Sequence, residues 1–167
     1  MKILMISHYP PQRCGIGAYA EQSVARLRQE GNIVNILTPA EGDGDFVEDL
    51  TGGFKLLRLL KYRHYYDRVI MQYCPSYYFM PYDRPGSWRE NIKACLAFAM
   101  LPYWMEKLEV ICHEELYYKP EDIGRIPALF HRLKWLSHKQ VCFHTQRERE
   151  QFVQHVGPIN PKGRCIL

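Results

Sequence analysis

Residues 1–39, MKILMISHYPPQRCGIGAYAEQSVARLRQEGNIVNILTP, read as strand, long turn, helix and second strand. Lys2 to Ser7 is a short apolar strand. A helix opens near Gly15–Ala18, with Ile16, Tyr19, Ala20, Val24 and Leu27 at the 3.6-residue period. Gly31 suits the position just past its end. Ile33 to Thr38 is a second strand, stopped by Pro39.

The same alternation continues downstream. Residues 40–53 are acidic and glycine-rich, the composition of a loop. Phe54 to Tyr65 predicts a helix with Phe54, Leu57 and Leu60 on one side. Arg68 to Tyr73 is a buried strand, and Pro75 to Ser87 a loop rich in Tyr and Pro. Ser87 predicts the cap of a helix reaching about Tyr103. Leu108 to Cys112 is a strand, His113 to Asp122 a polar loop, and Arg125 to Ser137 a helix. Gln140 to Phe143, a short polar helix Gln146 to His155, and a last strand from Arg164 to Leu167 complete the series. Alternating strands and helices of this kind predict an α/β, Rossmann-like doubly wound parallel sheet. Ligands of such sheets sit beyond the carboxyl ends of the strands. "SHYPPQRCGIG", "QYCPSYY", "HEELYY" and "HTQRE" all fall there.

The chain of 167 residues is long enough for one domain with a full core and too short for two ordinary ones. Apolar residues at 47% exclude a disordered chain, and a net charge of +4 is too weak to argue for nucleic acid. None of the six cysteines forms a CxxC pair, so they read as buried reduced thiols of a cytosolic protein. The apolar start is too short for a signal peptide. The longest apolar run, Ala94 to Trp104, contains Pro102 and falls short of the roughly 18 residues a membrane span needs.

Gly15-x-Gly17-x-x-Ala20 formally fits the dinucleotide fingerprint, but its context does not. Seven residues, His8 to Cys14, separate strand and first glycine, and strand two ends without the acid that would hold a ribose. What survives is a helix amino end with exposed N–H groups and a positive dipole, suited to phosphate. The plainer reading is that the glycines only permit a tight turn and close packing.

Residues 1–39 resemble the opening of GT-B glycosyltransferases of family 4. "YRHYYDRVIMQY", "LEVICHEEL", "KQVCFHTQREREQF" and the final "RCIL" resemble later segments of that family in order and spacing. The resemblance implies one half of a GT-B architecture, a single N-terminal, acceptor-side domain spanning residues 1–167. The C-terminal donor domain lies outside these residues. It implies an enzyme of carbohydrate biosynthesis that transfers a sugar from a UDP- or GDP-linked donor to a hydroxyl, with retention and without a required metal or other cofactor. Gly15, Ile16 and Gly17 would face the donor diphosphate, and His113 would sit beside the transferred sugar as the catalytic residue. Tyr9, Gln72, Tyr73, Glu114, Glu115 and Thr145 would line the acceptor side. The acceptor would be a carbohydrate or a lipid-linked molecule, and the location cytoplasmic or at the inner face of the membrane. Two positions depart from the family pattern: Cys14 stands where glycine is commoner, and Gln146 where an acid is usual. The alternative is a sugar- or phosphate-binding or docking module with no activity of its own.

Weaker readings come from the residues themselves. Glu106 and Glu114 show the family's E-x7-E spacing at opposite ends of one strand, without its glycine-rich surroundings. Cys112-His113 and Cys142-x-His144 suggest a metal, but alternating strand residues point to opposite faces. The same geometry opposes a Cys112–His113 nucleophilic pair. The helix at 54–68 carries Lys55, Arg58, Lys61, Arg63 and Arg68 against one acid, a face suited either to anionic lipid or to plain solvent.

Overall fold

The computed structural model describes residues 1–11, 14–39, 42–113 and 120–156, and for Pro120, Arg164 and Cys165 the backbone alone. Seven strands form one sheet: β1 (Lys2–Ile6), β2 (Ile33–Thr38), β3 (Phe46–Val47), β4 (Arg68–Tyr73), β5 (Leu108–Cys112), β6 (Val141–Phe143) and β7 (Arg164–Cys165). Their order is β3-β2-β1-β4-β5-β6-β7, and every neighbouring pair is parallel. The Rossmann-like doubly wound sheet is therefore present.

Both faces of the sheet are apolar, as a parallel sheet covered on two sides requires. Leu4, Ile6, Val69, Met71, Tyr73, Val110 and Cys112 build one core. Ile3, Met5, Ile36, Ile70, Ile111 and Cys142 build the other. Helix α1 (Gly15–Gln29) covers the second face through Val24. The first face is covered by a 3₁₀ helix (Lys55–Tyr62), α3 (Ser87–Trp104), Trp135 and α6 (Gln146–Val156). Trp135 is fully buried, its ring edge-on to Tyr73, Phe98 and Phe152 at 4.8–5.0 Å. Chain order runs outward in opposite directions from β1 and β4, so the switch point lies between their carboxyl ends.

Several local expectations are corrected. The 54–65 segment is a 3₁₀ helix that buries Leu56, Leu59 and Tyr62, whereas Phe54 is half exposed. Burial every third residue is what three residues per turn demands. Two glycines at positive φ, Gly52 and Gly53, set up its entry. The 40–53 loop contains the edge strand β3. The 75–87 loop opens with one helical turn, α2 (Pro75–Tyr78), and the loop before α5 (Arg125–Leu133) contains another, α4 (Pro120–Ile123). Ser87 is the first residue of α3 and not its cap; Gly86 occupies the cap in the left-handed region, with no side-chain bond. Asn91 explains the tight return of the chain there. Its buried amide donates to the Met80 carbonyl at 2.8 Å and accepts from the Met80 N–H at 2.7 Å. Helix α5 stops at Leu133, short of Ser137. Among the described residues no helix is long and apolar enough to cross a membrane.

Candidate functional site

The register of the strands places four polar side chains in one row at the carboxyl end of the sheet. Ser7 follows β1 and Gln72 lies in β4; His113 and His144 follow β5 and β6. Each stands two residues beyond an apolar residue of the α1-facing core: Met5, Ile70, Ile111 and Cys142. Alternation along a strand therefore points all four toward α1. The Ser7 hydroxyl is fully buried, with no hydrogen-bond partner among the described residues.

Three of the four are wired together. His113 Nε2 bonds Gln72 Oε1, and His113 Nδ1 meets His144 Nε2 at 3.0 Å. Gln72 Oε1 can only accept, while its amide nitrogen points at Met5 Sδ, 3.5 Å away. The network thus assigns the proton of His113 to Nε2 and leaves Nδ1 to accept from the Nε2–H of His144. His144 then presents Nδ1 as its acceptor. Tyr19 of α1 closes the row from above, its ring edge-on to His113 at 5.3 Å and to His144 at 4.9 Å. Burial, and then the neighbouring His144, lower the pKa of His113 to about 4. The imidazole is neutral at pH 7.

The loop after β1 leads into α1. Cys14 is the N-cap: its backbone is extended, and its Sγ accepts from the Gly17 N–H at 3.2 Å. The Gly17 amide is thereby occupied. Those of Gly15 and Ile16 belong to the first turn and have no acceptor within the helix. Gly15 itself is exposed, and a Cβ added to it would meet nothing within 4 Å. Cys14 Sγ also lies 3.7 Å from the Tyr77 hydroxyl and 3.9 Å from His8 Nδ1. The His8 and Tyr77 rings stack at 3.6 Å, and burial lowers the pKa of His8. Cys14, His8 and Tyr77 thus pin the loop after β1 onto the turn after β4, across the switch point.

The sequence-derived residues divide. Gly15, Ile16, Gln72 and His113 gather at the carboxyl end of the sheet. Tyr9 is there too, its ring half-buried against the α1-facing core. Tyr73 is not: it follows Gln72 and points to the opposite face, fully buried among Tyr78, Phe79, Phe98 and Trp135. It is a core residue and cannot touch a ligand. Thr145 caps α6. Its hydroxyl accepts from the Glu148 N–H at 3.1 Å, and Glu148 Oε2 accepts from Thr145 N–H at 3.0 Å and His144 N–H at 3.1 Å. This reciprocal capping box accounts for Thr145 structurally, and it holds the His144 backbone in place. Glu114 and Glu115 lie outside the described residues.

His144, His8, Tyr19 and Tyr77 were not singled out as site residues from the sequence. Position at a strand end was the available signal for His144, but pairing with His113 depends on β5–β6 register. Cys112 and Cys142 do face opposite cores, and Cys112 diverges from His113, as strand alternation requires. Among the described residues no cluster of three or more His, Cys, Asp or Glu could hold a metal ion. No protein-family model matches this chain, and neither does any curated protein.

Proposed function

We propose that the chain is the acceptor-side domain of a retaining GT-B glycosyltransferase, resembling family 4, that uses a nucleotide-sugar donor. The supporting observation is the juxtaposition at the switch point: the amino end of α1, where Gly15 is exposed, stands beside a neutral, doubly hydrogen-bonded His113. In this reading the Gly15 and Ile16 amides, with the helix dipole behind them, receive the donor diphosphate. The donor is held mainly by a second domain.

Both nitrogens of His113 are engaged within the protein. Its part is therefore to shape a neutral, proton-ordered wall beside the sugar, and His144 Nδ1 is the acceptor that the wall offers to a sugar hydroxyl. A neutral wall suits a reaction in which positive charge develops on the sugar, since an imidazolium there would oppose it. Retention, the nucleotide and the sugar class rest on the resemblance alone.

The test is transfer from UDP- and GDP-sugars by the protein of the intact reading frame, with His113→Ala beside it. Loss of a hydrogen-bonding wall is expected to lower kcat/KM at least about tenfold, the equivalent of 1.4 kcal/mol. Normal turnover by His113→Ala would remove the site assignment. Saturable nucleotide-sugar binding with no turnover would favour the binding module. Strong thermal stabilisation by NAD would reinstate the dinucleotide reading.

A further inference from the structure

Helix α5 and the turn after it bury polar side chains and expose apolar ones. Beside Pro127 and Trp135, three of their buried positions are polar: His131, Lys134 and His138 are 4%, 1% and 2% exposed. Their outward positions are apolar: Ile126, Leu129, Leu133 and Leu136 are 62%, 51%, 40% and 57% exposed.

The inward side explains itself. Lys134 Nζ donates to His131 Nδ1 at 3.1 Å and lies over the rings of Phe79, Tyr73 and Trp135 at 4.9–5.5 Å. His131 Nε2 meets the Tyr82 hydroxyl at 2.7 Å, and His138 Nε2 bonds the Phe98 carbonyl at 3.0 Å.

The outward side has no such account. Ile126, Leu129 and Leu133, at a spacing of 3 and 4, make a stripe on one face of α5, and Leu136 in the turn beyond it adds to the exposed apolar surface. Ser137 and His138 bond the carbonyls of Ala99 and Phe98, so α3 runs alongside. Its Leu96 and Met100 are exposed at 39% and 37%. An apolar area of this kind marks an interaction surface.

Charge selects the partner. Residues 125–140, RIPALFHRLKWLSHKQ, contain no acid, and Arg125 and Lys139 are exposed beside the leucines, while Arg132 donates to the Val156 carbonyl at 3.0 Å. A second copy docked face to face would set these cations against each other, because a two-fold interface repeats the same patch on both sides. An anionic bilayer surface satisfies both features: aliphatic side chains enter the headgroup boundary while the cations meet lipid phosphates.

The basic segment at 54–68 is a poorer candidate. Lys55 bonds Asp49 at 2.6 Å, Lys61 bonds Glu48, and Arg58 donates to the Asp49 carbonyl at 3.1 Å. The acidic loop before it thus already occupies three of its five cations, and Glu109 pairs with a fourth, Arg68, at 2.6 Å.

We infer that the outer face of α5, extended by α3, is a peripheral docking surface for anionic lipid bilayers. It rests on the fold alone and stands or falls independently of the glycosyltransferase reading.

The experiment is co-sedimentation of the chain with phosphatidylcholine vesicles, with and without phosphatidylglycerol, at two salt concentrations. Binding is expected with the anionic vesicles only and should weaken as salt rises. Leu133→Glu should lower the partition coefficient at least about tenfold, and Arg125→Gln and Lys139→Gln about fivefold each. These side chains are exposed, and circular dichroism of each variant checks the fold.

Lys55→Gln/Arg58→Gln should bind as the wild type does. Several results would overturn the inference: no binding to anionic vesicles, equal binding to neutral ones, or indifference to Leu133→Glu. So would a wild-type dimer in light scattering that Leu133→Glu dissociates while vesicles are ignored; that result would assign the face to a second copy.

Discussion

The Nδ1 atom of His113 accepts a hydrogen bond from Nε2 of His144 at 3.0 Å, and Gln72 Oε1 holds the other nitrogen of the same ring. Three residues from three adjacent strands thereby fix one tautomer. A consequence is readable by NMR. His113 should remain neutral from pH 8 down to pH 5, with a pKa of about 4. In His144→Ala the ring loses both cover and a neighbouring positive charge at low pH, so its pKa should climb toward 6.5. Titration of the wild-type ring near 6.5 would dismantle the proton-ordered row.

Stability should fall on mild acidification. Burial lowers the pKa of His131 to about 2 and that of His138 to about 3, below the 6.5 of an unfolded chain. The unfolded state therefore takes up protons first. The stability contributed by these neutral rings is complete above pH 6.5 and is lost as pH drops below it. Each fully buried ring contributes a slope of about 1.4 kcal/mol per pH unit within that window. Urea midpoints at pH 7, 6 and 5 measure it while most carboxylates are still ionised. His138→Gln keeps a donor for the Phe98 carbonyl without a titrating ring, so its profile should be shallower. Identical midpoints across the range would contradict the burial.

Cys14 tests the amino end of α1. Serine ranks among the best N-caps, so Cys14→Ser should match or exceed the wild type in stability. Cys14→Val removes the acceptor for Gly17 N–H and should cost about 0.5–2 kcal/mol. Denaturant midpoints of the two variants check the order. A valine variant as stable as serine would mean the sulfur contact contributes nothing.

Asn91→Ala should be the most damaging of these changes. Two hydrogen bonds to Met80 disappear, and both backbone groups of that residue lose their partner. The expected loss is about 2–4 kcal/mol. Faster proteolysis in the 79–87 segment should accompany the drop in midpoint. Unchanged cleavage and stability would show that the turn is held by other contacts.

Much of this molecule follows from short-range pattern. Apolar runs such as Lys2–Ile6 and Arg68–Tyr73 can bury only as strands covered on both sides, and the period of α1 leaves one helix to cover Ile3 and Met5. Strand–helix alternation with right-handed crossovers then dictates a doubly wound sheet and places its functional end. Gln72 and His113 were legible as strand-end polar residues for that reason.

Tertiary structure decided what depends on which strand lies beside which, and on which way a side chain turns. Tyr73 and Gln72 are neighbours in sequence, yet one is core and the other site, because successive strand residues face opposite sides. His144 joins His113 only through the β5–β6 register. Phe54 is exposed and Leu56 buried because the segment winds at three residues per turn, which a 3.6-residue template misplaces. Helix α5 turns histidine and lysine inward because an aromatic cage is there to receive them, and no local pattern could announce a cage assembled from Tyr73, Phe79 and Trp135. Sequence by itself determined the layers and the end of the sheet where chemistry belongs; contacts between distant segments decided the proton-ordered row and the apolar face of α5.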